Sequence, residues 1–438
     1  MSEIREDIVE SIDAENEEYG ELADNIKEKL EWFQDQKIGV IFHWGLYAEA
    51  GIVESWQLSE EDDWARKKPW REDLQQLRND YWGLNKVFNP VKFDPDDWAE
   101  KCKQAGFRYV IFSTKHHDGF NMYDTKESDY KITNEPSPFC HNPKADTFGE
   151  VMKAFRKAGL GTGAYYSKAD WHCPYYWVPN EHAKGRQASY SPKKNPEMWA
   201  KFERFVKNQL LEICRDYGNI DILWLDAGWV NMREEMLDMP DIVGELRKTQ
   251  PDMLVVDRTI GGEFENYVTP ERKVPDVAPK KVWESNLPLA KNWGYVPNDI
   301  YKPFDELLAS ILKIISMGGN VILGVGPKPD GTLPDEAVAI MEKLGEFLST
   351  FGEGIYNTRA AKITQEEDWY FTENEEAIFA FALAKKESAT LSLEKLQKHY
   401  EIGEILNLRT KENVKIENNQ VVVNFDEKLA VGLKINKK

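Results

Sequence analysis

NPEMWAKFERFVKNQLLEICRDYG, residues 195–218, followed at once by IDILWLD, residues 220–226, is the passage that decides the fold. The first part is helix-length and amphipathic, and the second holds a continuous apolar run, ILWL (222–225), closed by Asp226. A strand apolar on both faces needs cover on both sides, which a parallel sheet wrapped in helices supplies. Upstream, the same texture runs through IGVIF (38–42), DPDDWAEKCKQAG before YVIF (109–112), and TFGEVMKAFRKAG before LGTGAYY (160–166). Downstream it continues through PDIVGELRKTQ before MLVVD (253–257), KVWE (281–284), and PFDELLASILKIISMG before NVILGVG (320–326). This alternation predicts an α/β fold, a (β/α) barrel with some helices missing or irregular, over residues 36–359. No GxGxxG or GxxxxGK follows the first strand, so a nucleotide site has no motif behind it.

Outside the barrel, residues 1–35 read as an acidic helical lead-in anchored by Ile4, Ile8, Leu22, Ile26 and Leu30. After DEAVAIMEKLGEFLSTFG (335–352) the texture changes to short, partly alternating runs, WYFTE, AIFAFALAK, SATLSLEKL and QVVVNFD. Residues 360–438 are therefore expected to form an antiparallel β-sandwich that packs on the barrel. The 438 residues carry 56 Lys+Arg against 76 Asp+Glu, a net charge of −20. No basic face of the kind a nucleic acid or an anionic membrane requires is visible. No apolar run approaches the ~20 residues of a membrane span, and the acidic start is unlike a signal peptide. The expected location is cytoplasmic as written, with prior removal of an export signal left open, as is a homo-oligomer. The four cysteines lack paired spacing and read as free thiols.

In a barrel the chemistry gathers at the C-terminal ends of the strands. Those ends read His43-Trp44-Gly45, Ser113 to Phe120 with His116 and His117, Tyr165-Tyr166-Ser167, Trp224-Leu225-Asp226, Asp257-Arg258 and Trp283-Glu284. A metal site built on His43, His116, His117 and Asp226 is the first alternative. Adjacent histidines point to opposite faces of a regular strand, and no HExxH is present, so neither a metal nor a cofactor is expected. Neutral histidines beside Trp, Tyr and Arg instead describe a monosaccharide pocket, in a chain holding 15 Trp. Glycoside hydrolysis needs two carboxyl groups across the scissile bond. Asp226 is one candidate, and Glu271 in the loop VTPERKVPD or Glu284 at the end of strand six is the other.

The segments GVIFHWGLY (39–47), STKHHDGFNMYDT (113–125), GAYYSKADW (163–171), DILWLDAG (221–228), VVDR (255–258), TPER (269–272), WES…NWGY (283–295), GGNVILGVGPKPDG (318–331) and GEGIYNTR (352–359) resemble the α-L-fucosidases of glycoside hydrolase family 29. The resemblance covers residues 38–359, nearly the whole inferred barrel. It implies a retaining, exo-acting hydrolase of terminal α-L-fucosyl linkages, with fucosylated oligosaccharides or glycoconjugates as substrate. It implies Asp226 as nucleophile and His43, His116, His117, Tyr165, Trp224, Arg258 and Trp56 around the fucose. One branch of the family carries Thr-Pro-Glu after the Arg strand, and by that likeness Glu271 is the favoured acid/base, with Glu284 the alternative. The same branch prefers α-1,3/1,4-linked fucose.

Two places depart from the family pattern. Its Gly-Glu-Trp is here Val53-Glu54-Ser55-Trp56, which leaves Glu54 as a contact for a sugar hydroxyl or for His43 from a shifted backbone. The end of strand three reads SKADW, a change expected on the leaving-group side. Residues 46–90, with Trp64, Trp70 and Trp82, are expected to contact the aglycone. The alternatives are a fucosidase of α-1,2 or α-1,6 preference, an α-galactosidase on a similar barrel, or an inactive carbohydrate-binding barrel.

Overall fold

The computed structural model describes residues 17–231, 233–384, 387–426 and 428–438. Ile4 and Ile8 of the expected lead-in lie outside them. The helix there is α1 (Asp24–Gln36), which turns Ile26, Leu30 and Phe33 inward. The passage that decided the fold forms α6 (Pro196–Asp216) and β4 (Ile222–Asp226). Asn195 caps α6 by accepting the Met198 N–H, Pro196 fills the first turn, and Trp199, Phe202, Phe205, Val206, Leu210 and Ile213 make the buried stripe.

The larger region is a curled sheet of seven parallel strands in the order β5-β4-β3-β2-β1-β7-β6. The remaining strands are β1 (Ile38–Phe42), β2 (Tyr109–Lys115), β3 (Gly161–Ser167), β5 (Leu254–Asp257), β6 (Glu284–Pro288) and β7 (Asn320–Val325). Alternate side chains, among them Ile41, Tyr109, Ile111, Tyr165, Ile222, Trp224, Leu254, Val256 and Ile322, fill the interior together with Ile26, Leu30 and Phe33 of α1. α1 closes the N-terminal end, its Phe33 stacked 4.2 Å from Tyr267. The opposite face of each strand packs under the helices α4 (Pro95–Gln104), α5 (Thr147–Ala158), α6, α7 (Met239–Leu246), α8 (Phe304–Ser316) and α9 (Asp335–Phe351). The connection from β1 to β2 also carries two shorter helices, α2 (Leu46–Ala50) and α3 (Leu74–Trp82).

Where a barrel was expected, the strands form this curled sheet, a half-barrel without hydrogen-bonded closure between β5 and β6. The chain between those two strands has no helix and lies across the gap through isolated bridges, Val256 to Glu265, Val268 to Trp283 and Glu271 to Asn286. Strand six also needs correction. The apolar pair in KVWE suggested that it ends at Glu284, whereas Glu284 begins it. Its buried polar residues hid it from an apolar reading; its backbone pairs across the gap, where the Asn286 N–H donates to Pro270 O and its carbonyl accepts the Arg272 N–H, and Ser285 Oγ donates to Lys273 O.

At the C-terminus a five-stranded antiparallel sheet, in the order β12-β15-β10-β9-β8, faces a three-stranded one, β11-β14-β13. The strands are β8 (Arg359–Glu366), β9 (Trp369–Glu373), β10 (Ala377–Leu383), β11 (Ser388–Ser392), β12 (Ile402–Asn407), β13 (Ile416–Glu417), β14 (Gln420–Asn424) and β15 (Ala430–Lys437). β10 is buried on both faces. Ile378, Ala380 and Ala382 meet Leu391, Val421 and Val423 of the smaller sheet, while Phe379 and Phe381 join the core shared with α8 and α9. No helix among the described residues is long and apolar enough to cross a membrane.

Candidate active site

The parallel register stacks the strand ends. Ser167 lies opposite Asp226, Tyr165 opposite Trp224, and Leu225 opposite Asp257, so Arg258, the next residue after β5, emerges level with the nucleophile candidate. Asp226 closes β4 with its side chain 19% exposed, enough to face a cleft. Arg258 Nη1 donates to its Oδ1 at 2.7 Å and Tyr165 OH to its Oδ2 at 2.6 Å. Burial by itself would raise the pKa of this carboxyl. The Arg258 guanidinium and the Tyr165 hydroxyl overcome that effect and hold it well below the ordinary range, so Asp226 is ionised. Of the two adjacent tyrosines, Tyr165 faces inward, while Tyr166 bonds Gln209 on the helix side.

Arg258 has a second carboxylate. Its Nη2 donates to Glu271 Oε2 at 2.8 Å, and its Nε to Thr269 Oγ1 at 3.1 Å. Glu271, 15% exposed, reaches this point because its segment crosses the gap between β5 and β6. Its other oxygen accepts the Trp293 indole N–H at 3.0 Å, and Arg272 Nε lies 3.8 Å away. Trp224 lies beneath, with the Arg258 guanidinium 4.2 Å above its ring and Tyr165 5.5 Å away. It forms a floor for the ion pair, where a wall for the sugar was expected.

Burial drives all three histidines toward neutrality: His43 and His117 well below the usual value, His116 down to about 4. Ser167 Oγ donates to Ala169 O at 2.7 Å, so toward His117 Nδ1, 2.6 Å away, it is an acceptor. The proton is thereby placed on Nδ1, and Nε2 is a bare acceptor 4.0 Å from Asp226 Oδ2. That Nε2 and the Nδ1 of His43 are buried without a hydrogen-bond partner. Such atoms call for a ligand hydroxyl. His116 Nδ1 pairs with Ser55 Oγ at 2.5 Å, and the His43 ring lies 5.1 Å from Tyr165 and 5.3 Å from Trp293. Trp56 stands 4.8 Å from His117 with Arg186 over its ring.

Two sequence candidates are placed elsewhere. Glu284, at the start of β6, is at the opposite end of the sheet interior from Asp226 and has no exposed surface. It accepts from Tyr109 OH beside Tyr267 and Trp224, and burial pushes it up to about 8. Glu54 Oε1 accepts the backbone N–H groups of Trp293 and Gly294, both at 2.8 Å. In the insertion after β1, Trp64 lies 5.7 Å from Trp56, while Trp82 packs against Tyr130 and His172 and Trp70 under Arg71. From SKADW, Lys168 forms a buried ion pair with Asp257 and donates to Val230 O, bracing the loop after Asp226, and Trp171 stands 5.2 Å from His117.

His116, His117 and Asp226 offer ligand atoms within 4.8 Å of one another. Asp226 already holds a guanidinium on one oxygen and a hydroxyl on the other, so a cation there would face Arg258 directly; the donor set fits a metal poorly. A second such group, Glu135, Cys140 and His141, lies on the exposed surface. Sequence reasoning missed Trp293, Arg272, Trp229 (5.0 Å from His117), Ser55 and Ser167 as site residues. Trp293 had a signal in the quoted NWGY; the serines had none, since a hydroxyl that orients a histidine is known only by its neighbour.

The family model for alpha-L-fucosidase matches residues 8–353. Human tissue alpha-L-fucosidase is 27% identical over 393 residues, covering 83% of this chain and 77% of that protein. Alpha-L-fucosidase isoenzyme 1 from Paenibacillus thiaminolyticus superposes with a TM-score of 0.79 at 26% identity, over 94% of this chain and 100% of the other. Thermotoga maritima alpha-fucosidase, in complex with a mechanism-based inhibitor, gives a TM-score of 0.72 at 25% identity, over 92% and 96% of the two chains.

Proposed function

The chain belongs to the alpha-L-fucosidase family and is a glycoside hydrolase of that activity, and on that premise we propose that it cleaves terminal α-L-fucosyl linkages with retention, using Asp226 as nucleophile and Glu271 as acid/base. The observation that carries this reading is the shared guanidinium: Arg258 grips Asp226 with one Nη and Glu271 with the other. Retaining glycosidases hold their carboxyls ~5–5.5 Å apart, while inverting ones leave ~6.5–9.5 Å for a water. Two carboxyls on one guanidinium favour the shorter spacing.

In the first step an Asp226 oxygen attacks C1, the bond from C1 to the glycosidic oxygen breaks, and Glu271 passes its proton to the leaving oxygen. In the second, Glu271 takes a proton from water, the resulting hydroxyl attacks C1, and Asp226 departs as carboxylate. The depressed pKa of Asp226 keeps the nucleophile ionised, and Arg258 and Tyr165, one on each oxygen, fix its orientation. Neutral His43, His116 and His117 exchange hydrogen bonds with the fucose hydroxyls, His117 Nε2 as an acceptor, with Trp56 beside them. Fucosylated oligosaccharides linked α-1,3/1,4 are the proposed substrates, on the strength of the run Thr269-Pro270-Glu271.

The test is the anomer released first, read by proton NMR during early turnover. α-Fucose is expected; β-fucose would sink the double displacement. Rates on α-1,3/4-, α-1,2- and α-1,6-fucosyl oligosaccharides test the linkage, which is wrong if either of the last two is preferred.

A further inference from the structure

We propose that Glu54 is a positioning residue for the acid/base: it holds the Trp293–Gly294 turn, and through the Trp293 indole it holds Glu271. The inference rests on the reading of Glu271 as acid/base. Glu54 lies in the connection between β1 and β2, far in sequence from the chain around Glu271, and is fully buried. Its backbone is left-handed, φ 28°, a conformation a non-glycine residue keeps only when its surroundings enforce it. A single oxygen, Oε1, takes both N–H groups of the turn at 2.8 Å.

The turn is packed with no slack. A Cβ on Gly294 would come within 2.7 Å of the Tyr47 ring, so backbone and ring lie in direct contact. From the same turn the Trp293 ring runs past His43, at 5.3 Å, and under Arg272, at 5.1 Å, and ends with Nε1 donating to Glu271 Oε1 at 3.0 Å. Arg258 holds the other oxygen of Glu271. The carboxyl is therefore aimed by two donors, one anchored in β5's end and one in the turn that Glu54 secures. General acid catalysis requires the proton to meet the glycosidic oxygen at hydrogen-bond distance. A turn released from Glu54 would let the indole swing and Glu271 pivot about Arg258.

The experiment compares kcat/KM for the wild-type chain, Glu54→Ala, Glu54→Gln, Trp293→Phe, Glu271→Ala and the double variant Glu54→Ala/Glu271→Ala. Two substrates are used: a fucosyl oligosaccharide, whose leaving group needs a proton, and 2,4-dinitrophenyl α-fucoside, whose leaving group does not. Glu271→Ala is expected to lose ~10²–10⁴-fold on the oligosaccharide and far less on the aryl fucoside. Glu54→Ala is expected to lose ~10–10²-fold with the same selectivity, and Glu54→Gln, which keeps an acceptor oxygen, to recover most of it. In the double variant the Glu54 change should add nothing, the signature of one residue acting through another.

Equal losses on both substrates, or a full extra factor on top of Glu271→Ala, would show that Glu54 serves the sugar or the fold as a whole and would overturn the proposal. Should Glu54→Ala not fold, Trp293→Phe decides: it keeps an aromatic ring and removes the donor, and the absence of a leaving-group-selective loss overturns the relay. A Glu271→Ala enzyme without leaving-group selectivity removes the acid/base reading itself, and the relay with it.

Discussion

Asp226 and Glu284 occupy the two ends of one sheet interior, burial pushes the pKa of both upward, and both feel the Arg258 charge, yet they are held in opposite ionisation states. At the cleft end Arg258 and Tyr165 donate directly to Asp226, and the carboxylate is held ionised. At the α1 end Arg258 acts on Glu284 only at a distance, the near donor is the Tyr109 hydroxyl, and burial wins with a carboxyl raised to about 8. The comparison teaches that depth does not set the charge of a buried carboxyl. The contact that sets it is a direct ion pair, and the sheet places that ion pair only where the chain ends its strands.

The sharpest way to break this contrast is Asp226→Gly. It should lower turnover by ~10⁴-fold or more on every substrate, and azide should restore cleavage of an activated aryl fucoside with fucosyl azide as product. Retained activity above one-hundredth of wild type would remove Asp226 from the chemistry. Tyr165→Phe takes one donor from the nucleophile and should cost ~10–10²-fold in kcat/KM, as for a hydrogen bond to a charged group. It should also move the acidic limb of the kcat profile to higher pH, and an unmoved limb would mean that Tyr165 does not tune Asp226.

At the other end, Glu284→Gln should leave kcat within a few-fold, while Glu284→Ala should destabilise the protein by ~1–3 kcal/mol by stripping the Tyr109 hydroxyl of its acceptor. The sign of the pH effect is opposite at the two ends. Glu284 has a raised folded pKa, so its contribution to stability is complete below its unfolded value of ~4.3 and is lost as pH rises through about 8. Asp226 has a depressed folded pKa, so its contribution is present above ~3.9 and is lost as pH falls. Denaturant midpoints measured from pH 5 to 9 should fall less steeply for Glu284→Gln than for wild type; parallel curves would sink the protonated assignment. The smallest effect belongs to Ser55→Ala, which frees the His116 ring and should raise KM by ~2–10-fold with kcat nearly unchanged.

Element type and order were legible where apolar periodicity is strong, as in α6 and β4, because a buried stripe or a doubly covered strand leaves its period in the chain. Strand β6 was misplaced because it opens on the buried polar residues Glu284, Ser285 and Asn286, which leave no apolar run in the sequence to mark a strand. Glu271 could be named from its motif, but its partners, Arg258 at the start of the same connection and Trp293 from the connection after β6, meet it only in space. Glu54 drew notice as a departure from a pattern, and only its two acceptor contacts showed that its oxygen faces a backbone turn.

The sequence by itself determined that a parallel α/β sheet would form, which strand ends would carry histidines, a carboxylate and an arginine, and that an antiparallel region would follow. Those features depend on local periodicity and on the identity of the residue that closes each apolar run. The tertiary structure alone decided which carboxylates share a guanidinium, which histidine nitrogen carries the proton, and which glutamate is kept neutral. Each of those depends on distances between connections far apart in the chain, and electrostatics in a buried site is set by such distances.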